Sequence, residues 1–281
     1  MFGGLLLTNL NIEILCVGNE LLIGKTLNTN AHWLAKRITS LGLNVKRVMV
    51  VGDNLEDISM AVKEAIQRKP IFVLVTGGLG PTFDDMTLEG VAKGLGRKTE
   101  ENKEAMDMVK KRYRQYVDDG RVEKFEMTPH RVKMARLPEG ATALVNTVGT
   151  APGVLLEEDG VRMVMLPGVP SEMITIFDGS VLPMLREASG DLMFFEASLD
   201  VRAMGESQLA PMIDEVMRDN PYVYIKSHVQ ASEKVPYLEI HLSTTSDDPK
   251  AARQRIGRVV IQISEMIQEK GGKVKPIESQ Q

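Results

Sequence analysis

The chain has 281 residues, 43% of them hydrophobic and 26% charged, and a formal net charge of −4. That composition excludes extended disorder and suits a folded chain of about two domains, and its slight acidity gives no electrostatic reason for a nucleic-acid partner. The one cysteine, Cys16, excludes an internal disulfide or a cysteine-rich metal site and fits a reducing, cytoplasmic compartment.

The apolar opening, residues 1–7, has no basic leader or small-residue cleavage site and is too short for a membrane span. Residues 12–17, apolar apart from Glu13 and ended by Gly18, read as a buried strand. Capping side chains over 26–30 precede a helix over 31–41, with Leu34, Ile38 and Leu41 at helical spacing. A strand over 45–51, a turn at 52–54 and a helix over 55–68 follow, then a strongly apolar and central strand over 71–75. Helices are predicted over 88–95 and 102–116, a strand over 161–166, and a helix over 171–185 interrupted near Gly179. Strands alternating with helices imply right-handed crossovers and a mostly parallel sheet in an α/β domain, residues 1–190. Residues 191–281 differ. Strand 194–202, helix 206–218, strands 223–227 and 237–243 and helix 249–270 suggest a small α+β domain.

The strongest chemical signal runs from Thr76 through Gly77, Gly78, Leu79, Gly80, Pro81 and Thr82 to Asp84, Asp85 and Thr87, between a buried strand and a helix. Glycines allow positive φ and close approach, so successive backbone N–H groups can cradle an anion. Two adjacent carboxylates would repel a phosphate unless a divalent cation bridges them, which makes Asp84 and Asp85 candidate metal ligands; the alternative is a tight turn with an Asp helix cap. Similar glycine and proline pieces occur at 146–153, with Gly149, Thr150 and Gly153, and at 166–172, with Pro167, Gly168 and Pro170. In an open α/β sheet, ligands gather outside the carboxyl ends of the strands, where the 76–82 and 166–172 pieces and Gly18-Asn19-Glu20 fall. Asp53 reads equally as a ligand-facing acid or as a helix cap, and Glu172 as a site acid or a first-turn helix acid. His32, His130, His228 and His241 lack local metal-ligand spacing, and Trp33 reads as packing.

At these residues the chain resembles the CinA (competence/damage-inducible) family, in its N-terminal molybdopterin-binding-like part. The pieces that carry the resemblance are Gly18–Gly24, Thr29-Asn30, Val51-Gly52-Asp53, Thr76–Thr82 with Asp84–Thr87, Gly149–Gly153 and Leu166–Met173, in the family's order and covering about 12–185. The resemblance implies a three-layer fold shared with MogA, MoaB and the MoeA central domain, in which two aspartates near the bound pterin phosphate matter; Asp53 and Asp85 match their motifs. It also implies metal-dependent hydrolysis of ADP-ribose to AMP and ribose 5-phosphate, or of FAD, with Mg, Mn or Co as the cation. Backbone around 77–80 and 149–153 would hold phosphates, Asn30 would join the nucleotide site, and Asp53 and Glu20 would orient water or ribose. A homo-oligomer, a dimer, follows from the same resemblance. Binding of a molybdopterin or nucleotide without turnover is the rival reading. Asn19 stands where many relatives carry Asp, so an acid role there is lost. Full-length CinA also carries a deamidase domain that this chain ends before, so deamidation is not expected.

Overall fold

The computed structural model describes residues 10–230 and 237–277, so the apolar opening 1–7 lies outside the described residues. Two compact units divide the chain: residues up to Thr39 with Leu43–Ala188, and Ser40–Gly42 with the residues from Ser189 on. The sequence boundary at 190/191 falls two residues beyond that division.

The first unit runs β1 (Asn11–Val17), α1 (Asn19–Leu22), α2 (Thr29–Ser40), β2 (Asn44–Val51), α3 (Leu55–Gln67), β3 (Phe72–Thr76), α4 (Thr87–Gly94), β4 (Thr99–Glu101) and α5 (Lys103–Asp118). It continues through α6 (Pro129–Lys133), β5 (Arg136–Pro138), β6 (Thr142–Leu144), β7 (Gly153–Glu158), β8 (Val161–Leu166), α7 (Pro170–Ile176), a π-turn (Phe177–Val181) and α8 (Leu182–Ser189). The six-stranded sheet has the order β2-β1-β3-β8-β7-β6. Its first four strands are parallel, and β7 and β6 add an antiparallel flank. The interruption expected near Gly179 is the π-turn, which keeps the helical segment going with one wider turn.

Burial explains the layers. Leu15, Val17, Val73, Val75, Met163 and Met165 share one core with Ile58 and Val62 of α3, Val91 of α4 and Val109 of α5. The alternate residues Ile14, Cys16, Leu74, Val164 and Leu166 point to the other face and are equally buried. That face is covered by α2 and α7, whose Leu34, Ile38, Met173 and Ile176 are buried outside the first core. Trp33 meets Phe177 edge-to-face at 5.1 Å between ring centres, the packing role expected of it. Strands covered on both faces need the mostly apolar runs that make β1, β3 and β8 stand out in the sequence, broken by a charge only at Glu13 in β1 and Arg162 in β8.

One charge interrupts this core. Glu13 of β1 is 5% exposed, and the Arg68 guanidinium at the C-cap of α3 binds it bidentately, Nε and Nη2 each donating at 2.7 Å. Removing Arg68 strands a buried carboxylate. Because Arg68 itself keeps some solvent access, Arg68→Met is expected to cost about 2–3 kcal/mol, below the ~3–5 kcal/mol typical of a fully buried pair. A urea unfolding midpoint equal to that of the parent chain would contradict this reading.

The second unit runs β9 (Met193–Arg202), α9 (Glu206–Asp219), β10 (Tyr224–Gln230), β11 (Tyr237–Ser246), α10 (Pro249–Glu269) and β12 (Lys273–Ile277). Its sheet is antiparallel, in the order β10-β11-β9-β12. Leu199, Val201, Ile240 and Leu242 face α9 and α10 and form its core with Val216, Val259 and Ile263.

Candidate functional site

Parallel strands deliver their carboxyl ends to one edge. From β1 the chain first turns to β2 on one side, then crosses to β3 on the other, so a crevice opens between the ends of β1 and β3. There the chain forms a cleft of about 450 Å³. Of the residues singled out in the sequence, Glu20, Asn30, Asp53, Thr76, Gly77, Gly78, Gly80, Pro81, Thr82, Asp84, Asp85, Thr150, Pro167, Gly168 and Pro170 line it.

Close packing at the floor dictates glycine. Gly77 has φ +103°, and a Cβ there would lie 2.1 Å from the Val17 carbonyl oxygen of β1. Gly78 follows with φ +67°. The Gly77 N–H is bonded to Leu166 O, whereas those of Gly78, Leu79 and Gly80 donate to no acceptor among the described residues. Successive N–H groups left open in a glycine turn are the makings of an anion cradle. The Thr82 amide N–H and hydroxyl both reach Asp85 Oδ2, at 2.8 and 2.5 Å, and the same hydroxyl lies 2.5 Å from Asp84 Oδ1. That hydroxyl holds the Asp84 carboxyl below the usual carboxylate range, with smaller help from its own backbone and from Lys133. Neither aspartate caps α4, whose N-cap is Met86 without a side-chain bond, so the helix-cap alternative fails. From α6, Lys133 Nζ donates to Thr82 O, and the His130 ring lies 3.2 Å from Pro81 O.

Asp53 is likewise not a cap. Asn54 caps α3, accepting from Glu56 N and Asp57 N. Asp53 Oδ2 accepts the Asn19 N–H at 2.8 Å, and Asn19 Oδ1 accepts the Asp53 N–H at 3.2 Å. Asn19 thus ties the β1 and β2 turns together. Asn30 Nδ2 donates to Thr76 Oγ1 at 3.0 Å and Gly168 O at 2.8 Å, and Thr76 Oγ1 donates to Pro167 O at 3.2 Å. These two side chains are struts between the β3 and β8 turns.

Three expected phosphate contacts are placed elsewhere. Gly149 spends its N–H on Asn146 Oδ1 and lies outside the cleft lining, because that bond closes the 146–149 turn on itself. Gly153 is buried in β7, where a Cβ would meet Ile176 at 2.8 Å; its glycine serves packing. Thr87 is fully buried and turns its hydroxyl to Gly77 O at 2.7 Å, buckling the glycine turn from below. Of the 149–153 piece, Thr150 and Ala151 alone reach the cleft. Conversely, Glu172 resolves toward the site. It lines the cleft and accepts from Asn146 Nδ2 at 2.6 Å. Leu27 and Val169 add an apolar wall that the sequence reading missed, since an exposed apolar residue in a loop carries no pattern. Five carboxylates therefore line the cleft (Glu20, Asp53, Asp84, Asp85 and Glu172), and among the described residues no Lys, Arg or His does.

Residues 13–187 match the family model described as a probable molybdopterin binding domain. The chain belongs to that family. It is similar to a protein of Pyrobaculum calidifontis, 45% identical over 258 residues that cover 92% of this chain and 95% of that one. A protein of Aeropyrum pernix is 41% identical over 267 residues, covering 95% and 97%. Among solved structures it is similar to the protein CinA of Thermoplasma acidophilum, described as of unknown function, with a TM-score of 0.56 and 38% identity over 62% of this chain and 97% of that one. The molybdopterin-binding domain of this chain is therefore CinA-like, with additional C-terminal strands and helices in the second unit. Among the described residues, no helix is long and apolar enough to cross a membrane.

Proposed function

We propose that the cleft hydrolyses the diphosphate bond of a nucleotide with the help of a divalent cation, ADP-ribose giving AMP and ribose 5-phosphate. One observation carries this reading: open glycine N–H groups, suited to phosphate, share a cleft with five carboxylates and no basic side chain. Five carboxylates would repel a diphosphate brought there, and Lys133 and Arg136, which line a small hollow against Gly78–Gly80, offset only part of that charge, so cations arriving with the ligand balance the rest.

The donor set fits Mg, Mn or Co shared with the ligand. Thr82 lies between the two acids, its hydroxyl within hydrogen-bond reach of both Asp84 and Asp85, so the two carboxylates converge on one turn where a cation could join them. Among the described residues no group of three His, Cys, Asp or Glu could hold a metal. Two carboxylates suit a hard cation that completes its shell with water and substrate oxygens. Bound there, the cation would polarise a phosphoryl oxygen and ease deprotonation of the attacking water. The chain does the rest. The Gly78–Gly80 N–H groups hold phosphate oxygens, Asn30 and Thr76 fix the turns that carry them, and Leu27 and Val169 flank a planar ring. Glu20 and Asp53 orient water or ribose. Water adds to one phosphorus, the bridging P–O bond breaks, and the second phosphate leaves with the bridging oxygen.

Incubation of the protein with ADP-ribose or FAD and Mg²⁺, Mn²⁺ or Co²⁺ tests the proposal. AMP is expected with at least one metal, and none after chelation. Saturable binding with no product under any metal would replace this reading by a carrier of molybdopterin or nucleotide. A dimer and a cytoplasmic setting belong to the same proposal.

A further inference from the structure

We propose that the second unit has a binding pocket of its own, for a single planar heteroaromatic ring bearing an anionic group: a mononucleotide. The register sets Phe194 of β9 opposite Thr245 of β11, and Tyr224 of β10 opposite Ser243. All four lie on the sheet face away from α9 and α10, because their neighbours Phe195, Ile225 and Leu242 belong to the helix-side core. With Met217 of α9 and Tyr222 of the α9–β10 connection they line an open hollow of about 280 Å³. That is the small end of the range for small-molecule sites, about 300–1,000 Å³, so the pocket takes one ring system and not a dinucleotide.

The walls are built for a ring. Tyr222 is 70% exposed and Tyr224 56%, an uncommon amount of aromatic surface to leave in water within one concavity. Their presentation is fixed in advance. Thr244 Oγ1 donates to Tyr222 O at 2.6 Å, and Asn220 Nδ2 is tied to Val216 O and Gln262 Oε1 at 2.9 and 2.8 Å. A loop held in this way loses little freedom when a ligand stacks on it. The hydroxyls of Ser243 and Thr245 have no hydrogen-bond partner among the described residues and can read a ring edge. No acid lines the pocket. The nearest in register, Glu196 beside Ser243, is paired with His241 at 3.5 Å. The Arg255 guanidinium, on α10 and outside the pocket lining, lies against the Tyr222 ring, 4.9 Å from its centre, and would supply the cation for an anionic substituent that reaches past that ring.

The chain has five tyrosines, so protein labelled with 3-fluorotyrosine reports the pocket directly by ¹⁹F resonance. Titration with AMP is expected to shift the Tyr222 and Tyr224 signals saturably while Tyr113 and Tyr116 stay in place; ribose 5-phosphate, which lacks the ring, is expected to leave Tyr224 unmoved. Tyr224→Ala is expected to weaken AMP binding about tenfold or more, the usual effect of losing one stacking partner. Arg255→Gln, which keeps every ring, is expected to weaken AMP but not adenosine. Unshifted Tyr222 and Tyr224 signals at millimolar AMP would overturn the proposal, as would equal shifts with ribose 5-phosphate. No part of this test depends on hydrolysis at the cleft of the first unit.

Discussion

Gly77→Ala is expected to destabilise the first unit by about 4 kcal/mol. Two costs combine. An alanine held at φ +103° is strained by about 1–3 kcal/mol. Its Cβ would also lie 2.1 Å from Val17 O, a backbone atom in a strand that pairs directly with β3 through Cys16 and Thr76. Relief requires parting β1 from β3 in the middle of the sheet, an overpacking cost of about 1–3 kcal/mol. Gly80→Ala is the matched control. The nearest atoms its Cβ would meet are those of the Asp85 carboxylate, at 2.6 Å, a side chain that can move at the cost of its two bonds from Thr82 rather than by parting two strands. Thermal and urea unfolding of the two variants should therefore differ, with Gly80→Ala losing about 1–2 kcal/mol, the cost of the Asp85 hydrogen bonds it displaces. Equal losses would show that the close approach of the β1 and β3 ends is not what demands glycine at 77.

The second large effect is on turnover. Asp85→Asn is expected to lower metal-dependent AMP release by at least about 10²-fold, or ~2.7 kcal/mol in the barrier. The amide keeps the shape and can still accept from Thr82 N–H, so the turn survives. What it loses is the negative charge beside Asp84 that the cation needs. Asp84→Asn is expected to do less, because Asp84 is fully exposed at the tip of the turn while Asp85 is half-buried and anchored twice. Unfolding midpoints of both variants should match the parent chain. Unimpaired turnover in Asp85→Asn would remove the acid pair from the chemistry, whatever the substrate.

Much of this was legible before the structure, and the reason is physical. β1, β3 and β8 are buried on both faces, so each is a mostly apolar run, with Glu13 and Arg162 the charged exceptions, and a glycine turn follows each at the sheet's carboxyl edge. The flanking strands carry no such mark. β6 has three residues, β12 is mostly exposed, and β7 opens on Gly153, which blends into the glycine and proline piece before it. That is why Gly149 and Gly153 read as phosphate contacts: the sequence shows the glycine but not that Asn146 takes the Gly149 N–H or that Ile176 presses on Gly153. Asp53 could not be separated from a helix cap because Asn54 stands next to it and its true partner, Asn19, is 34 residues away. The Glu13–Arg68 pair is equally non-local, its partners 55 positions apart.

Calorimetric titration with a methylene-bridged ADP-ribose, which cannot be hydrolysed, tests most directly whether the acid-lined cleft accepts a diphosphate only together with a cation. Binding is expected to tighten by about tenfold or more when Mg²⁺ or Mn²⁺ is present, and the metal to bind tighter by the same factor when the ligand is present. An affinity that is the same in chelator as in metal would contradict it.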